Sequence, residues 1–145
     1  MEIRTNPKLL VPMYWKVWLS LVAALILVRV TLLAGTGVEN YTFILFLAYA
    51  VPTWVSIIVL NFVEGHRLME YLGEMHNAIW QELTSGPGFG PGGANSLRSL
   101  RFIYSKDYLG DEVLKTLKFN YRKFIWLVIT VFITMPVLFI IVMIQ

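Results

Sequence analysis

The chain has 145 residues, enough for one domain and too few for two substantial ones. Hydrophobic residues make up 57% and charged residues 14%, where soluble domains run at roughly 45–50% and about 25%. A net charge of +3, held near the helix ends, is too weak to indicate nucleic acid, and the absence of cysteine excludes disulfides, thiolate metal sites, a lipoprotein anchor and a cysteine nucleophile.

The apolar excess sits in three runs, with nearly all the charge before or between them. A bilayer imposes that pattern, because about 20 apolar residues are needed to cross its roughly 30 Å core as a helix. The expected fold is all-α: an integral membrane protein with three transmembrane helices, at about 14–34, 41–63 and 124–145, and a small cytoplasmic helical cap between spans 2 and 3. The whole chain reads as a single membrane domain.

Residues 1–13 form a short polar lead with Arg4 and Lys8, broken by Pro7 and Pro12. Tyr14, Trp15, Lys16 and Trp18 at the start of the first span have the character of an interfacial belt. A cleaved signal peptide is the rival reading of this run. Against it, no A-x-A site follows and Arg29 interrupts the apolar stretch. A tight turn is expected at 35–40. The second span carries Pro52 near its middle, which removes one backbone bond and kinks a helix.

From residue 64 the composition changes. Leu68, Leu72, Met75, Ile79 and Leu83 recur at helical spacing, with Glu70, Glu74, Asn77 and Gln81 opposite, and predict one amphipathic helix over 64–84. These five apolar residues are expected to hold the cap. Leu72, Met75 and Ile79 should pack against Leu100, Tyr104, Leu114 and Leu117. A glycine- and proline-rich loop follows at 85–93, with Phe89 at its tip; it lacks the ending of a P-loop and follows no strand. A short helix is predicted over 96–108, with Leu97, Leu100 and Tyr104 as its apolar line. Gly110 ends it, and Asp111 and Glu112 open a long last helix in which Pro136 sets a kink.

Lysine and arginine set the orientation. They cluster in the N-terminal lead and in 64–123, and are missing from the 35–40 turn and the C-terminus. The N-terminus and the middle segment are therefore expected in the cytoplasm and the C-terminus outside.

Six residues are candidates for contact with lipid or a partner: Arg29, Lys115, Lys118, Arg122, Lys123 and Trp126. Arg29 lies about 21 Å along the helix from Trp15, in the outer half of the bilayer. It is expected to snorkel to outer headgroups and pair with Glu39, or else to make an interhelical contact. A transport role is the remaining alternative. Lys115, Lys118 and Arg122 form a stripe, with Lys123 and Trp126 beside it; the alternatives are a positive-inside anchor and a site for anionic headgroups. His66 and His76 are too far around the helix to share a metal, and both read as part of a solvated face. No Ser-His-Asp set, paired catalytic carboxylates or cofactor fingerprint is visible, so no catalytic, cofactor-binding or metal residues are assigned and a non-enzyme is expected.

From the second span onward the chain resembles the universal stress protein B family of small bacterial inner-membrane proteins. The likeness runs over about 45–135: an apolar helix leading into HRLMEYLGEMHNAIWQEL, the glycine-rich GPGFG, LRFIYSKDY, an acidic GDE, and LKFNYRKFIWL before the last span. The chain departs from that pattern in having an additional first span and in being less basic around Tyr104–Asp111. The resemblance implies a bacterial plasma membrane and a connection to stress physiology. It implies no catalytic residue and no nucleotide site.

The expected function is a structural or accessory membrane subunit that packs against a larger membrane complex or copies of itself, in contact with membrane lipids. The alternatives are a small lipid- or ligand-binding regulator and a channel-forming oligomer, which lacks a polar lining here.

Overall fold

A computed structural model describes residues 10–31, 39–84 and 96–143. Residues 1–9 of the N-terminal lead, most of the 35–40 turn, the side chains of Glu39, Asn40 and Leu97 and the glycine-rich loop with Phe89 lie outside the described residues, and α1 takes in the last residues of the expected lead. Among those described, the chain is all helical: α1 (Val11–Thr31), α2 (Glu39–Met75), α3 (Asn77–Thr84), α4 (Ser96–Tyr104) and α5 (Glu112–Met143). Helices α1, α2 and α5 are each long and apolar enough to cross a membrane.

α1 begins with Pro12 in its first turn, where a missing N–H removes no helical bond. α2 has 37 residues and runs straight through Pro52. At 1.5 Å per residue it is about 55 Å long, well beyond a hydrocarbon core. α5 has 32 residues and runs through Pro136.

The chain divides into two units. One comprises 9–60 with 125–145. Its buried residues on α1 are Val11, Trp18 and Leu25, one line at a spacing of seven, so α1 touches its neighbours along a narrow seam. On α2 the buried line is Thr42, Tyr49, Ala50, Thr53 and Ile57, and on α5 it is Leu127, Val131, Leu138 and Val142. Rings meet edge-on between α2 and α5, Phe46 on Phe139 and Trp54 on Phe132. Polar bonds cross this unit at few places. Trp18 Nε1 donates to the Tyr49 hydroxyl at 3.0 Å, and the Tyr14 hydroxyl donates to the Thr53 carbonyl at 3.4 Å. Around Pro52, the Thr53 hydroxyl donates to the Tyr49 carbonyl and the Ser56 hydroxyl to the Pro52 carbonyl. These bonds go to the Tyr49 and Pro52 carbonyls, not to the Ala48 carbonyl that the proline frees.

The other unit holds 61–124. The 64–84 stretch, expected as one helix, is two. α2 ends at Met75, His76 interrupts the ladder, and α3 starts anew with Ile79 and Trp80 donating to the His76 carbonyl. Of the residues expected to hold the cap, Leu68, Leu72 and Leu83 are buried, Ile79 is half-buried and Met75 is exposed. Met75 is the last residue of α2 and stays 49% exposed, and the apolar line does not continue as one helix past His76. Leu114 and Leu117 are buried, whereas Leu100 and Tyr104 are exposed and the inward residues of α4 are Ser99 and Ile103. The fully buried Leu68, Leu72 and Leu114 each contribute roughly 1.5–3 kcal/mol.

Candidate functional site

The polar side chains of 61–124 converge at three places. The first is Asp111. Its Oδ1 accepts the backbone amides of Val113 at 2.8 Å and Leu114 at 3.1 Å, as an N-cap does. Its Oδ2 accepts the Tyr71 hydroxyl at 2.6 Å and lies 2.9 Å from His76 Nε2. One carboxylate thus joins the end of α2, the break before α3 and the start of α5. Burial alone would raise its pKa. The bonds from Tyr71, His76 and the amides of Leu114 and Val113 outweigh that and hold it at about 2. The Tyr108 carbonyl accepts the Asp111 amide at 2.8 Å, which closes a turn through Leu109 (φ 53°) and Gly110 (φ 72°).

The second is the fastening of the α4 C-terminus. Lys118 is fully buried; its Nζ donates to the Ser105 hydroxyl at 3.0 Å and the Asp107 carbonyl at 2.8 Å, and lies 4.0 Å from the centre of the Phe102 ring. Arg122 Nε donates to the Ile103 carbonyl at 2.7 Å and its terminal nitrogen to the Ser105 carbonyl at 2.8 Å. Arg122 therefore satisfies an orphan carbonyl in the last turn of α4, where a helix dipole favours positive charge, and Lys118 fastens the turn that follows.

The third is Glu64, 3% exposed, whose Oε2 accepts from Asn120 Nδ2 at 2.8 Å and whose Oε1 lies 3.5 Å from an Arg67 nitrogen. Beside it the Tyr121 hydroxyl donates to Asn61 Oδ1 at 3.1 Å. A carboxylate buried this deeply needs such partners.

The sequence candidates are dispersed by this geometry. Lys115, Lys118 and Arg122 do not act as one stripe: Lys118 and Arg122 turn inward to α4, and Lys115 pairs with Glu112 on the surface at 3.0 Å. Burial removes Lys118 from any lipid. Lys123 lies over the Phe119 ring at 4.4 Å, and Trp126 is exposed. Arg29 belongs to the other unit, where its Nε donates to the Val142 carbonyl at 3.0 Å. That contact is interhelical, at the last turn of α5, one of the two expected alternatives; the pairing with Glu39 falls on a side chain outside the described residues. His66 is exposed beside Glu70, but His76 leaves the solvated face and binds Asp111.

Sequence reasoning placed Asp111 at a helix start and missed its second role, together with Tyr71, Glu64 and Asn120. A polar residue on an otherwise apolar line was the available signal: Glu64 lies four residues before Leu68, and Asn120 between Leu117 and Phe124. No family model, curated protein or solved structure matches the chain.

Proposed function

We propose that the chain is a non-enzymatic membrane subunit, structural or accessory, with three membrane spans and a helical cap in the segment between the second and the third. It associates with a larger membrane complex or with copies of itself. The observation that supports this is the use made of the buried ionisable groups. Glu64, Asp111 and Lys118 are each engaged by other atoms of the same chain, in bonds that fasten helices together. Enzyme sites hold such groups near reacting atoms and open to substrate. The apolar helices point the same way, because Ile58, Phe132 and Ile133 among others are exposed and require lipid or another helix against them.

The location in a bacterial inner membrane, with the N-terminus and cap cytoplasmic and the C-terminus outside, belongs to this proposal. So does the connection to stress physiology. Its basis is the distribution of lysine and arginine and the resemblance over 45–135. A lipid-binding regulator is the second reading, favoured by exposed Arg101 and Lys106 beside exposed Tyr104. Extraction in mild detergent followed by mass spectrometry decides between them. A stoichiometric membrane protein, or a defined multiple of the chain, supports the subunit. A monomer retaining anionic lipid and no protein sinks it in favour of the regulator.

A further inference from the structure

We propose that α4 and the turn after it dock on the anionic phospholipid headgroups of the membrane that the chain spans. The first ground is depth. The α4 C-terminus is tied to α5 at Lys118 and Arg122, and the apolar run of that same helix begins at Phe124. Along α5 these two ties lie about 9 Å and 3 Å before the apolar run. The headgroup layer on each side of a bilayer is about 5–8 Å thick. The end of α4 is therefore held at headgroup level.

The second ground is the surface α4 leaves uncovered. Ser99 and Ile103 face inward, while Leu100 is 48% exposed, Tyr104 43% and Leu109 44%. Arg101 and Lys106 are exposed alongside them. Apolar and aromatic residues flanked by basic ones are what an interfacial helix presents.

The third ground is charge. Residues 96–106 contain no acid and three basic residues, Arg98, Arg101 and Lys106, against one exposed acid, Asp107, in the turn after them. The nearest acids are engaged in turns and pairs: Asp107 accepts the Leu109 amide and Glu112 holds Lys115. The short helix α3 differs, carrying Glu82 and following Glu74, both exposed. A protein partner would need a complementary acidic face, whereas the anionic leaflet is already present at that depth. The inference does not depend on whether the chain also has protein partners.

The test uses the full chain in nanodiscs of symmetric lipid, either all zwitterionic or with one-third phosphatidylglycerol, so that orientation does not matter. The chain has no native cysteine, so a spin label at Leu100→Cys reports that position alone, and one at Gln81→Cys on α3 serves as reference. The expected result is that the position-100 label gains access to oxygen and loses access to a water-soluble nickel chelate in the anionic discs, while the position-81 label stays in water. Arg101→Gln and Lys106→Gln should each reduce the docked population by about five-fold. Both residues are exposed and outside the α4–α5 ties, so the fold survives the changes. Equal water access at position 100 in both lipids overturns the proposal. So does a neutralised double variant that docks as the parent does, or protection that requires a second protein.

Discussion

The two units of the chain are held by different kinds of contact. In 61–124, three polar nodes join helices through short bonds: Asp111 to Tyr71, Lys118 to Asp107, Glu64 to Asn120. In 9–60 with 125–145, seams of apolar side chains and edge-on rings predominate, with isolated bonds such as Trp18 to Tyr49. The difference fits the proposed topology, with 61–124 in water and the spans in lipid. A segment exposed to water gains stability by burying Leu68, Leu72 and Leu114, and polar nodes then fix which faces meet. A helix in lipid gains little from apolar contact, since lipid tails are as apolar as leucine.

This contrast predicts where substitutions will be felt, and hydrogen exchange on the full chain in nanodiscs reads it. Leu114→Ala should have the largest effect, about 2–5 kcal/mol. Exchange should rise across 96–104 and stay unchanged over 125–140; equal acceleration in both regions would break the distinction. Lys118→Met should follow, at roughly 1.5–3 kcal/mol for a charged hydrogen-bonded group. Its effect should centre on 102–110, where the Asp107 carbonyl loses its donor.

Acid should act third, through Asp111. Its carboxyl is depressed from 3.8 to about 2, so its contribution is complete above the ordinary carboxylate pKa and is lost as pH falls towards 2. The loss is about 2 kcal/mol. Exchange at Val113 and Leu114, corrected for intrinsic pH dependence, should accelerate within that window. Tyr71→Phe should move the window upward. The smallest effect is expected in the other unit. Trp18→Phe removes one bond to Tyr49 and should cost about 0.6 kcal/mol, the mean for such bonds in a membrane, seen at α1 amides and absent from 96–104.

The spans were legible because about 20 apolar residues in a row admit few alternatives. The side chains that fasten the cap were not, for reasons specific to each. α4 has two apolar lines, Leu97–Leu100–Tyr104 and Phe102–Ile103, and a nine-residue helix does not itself choose between them. Lys118 and Arg122, from α5, decide the matter. The break at His76 follows Gly73 by three residues, a weak signal that the apolar periodicity masks, and His76 gains a partner 35 positions away. Arg29 shows the same limit. Its place near the end of the first span was readable from helix rise, but its bond to Val142 depends on how α5 ends beside α1.

Asp111 also bears on which residues are interchangeable. A helix start is ordinarily served about as well by asparagine or serine as by aspartate. Here one oxygen serves the backbone of α5 and the other serves Tyr71 and His76. Asparagine carries a single carbonyl oxygen, and serine a single hydroxyl on a shorter side chain. Serine would leave the helix started but the α2–α3 corner untethered, or the reverse; asparagine would place its Nδ2 donor where Oδ2 accepts, exchanging a charge-assisted bond from Tyr71 for a neutral one. A position that looks permissive from its local role thereby favours aspartate through a bond made across the fold.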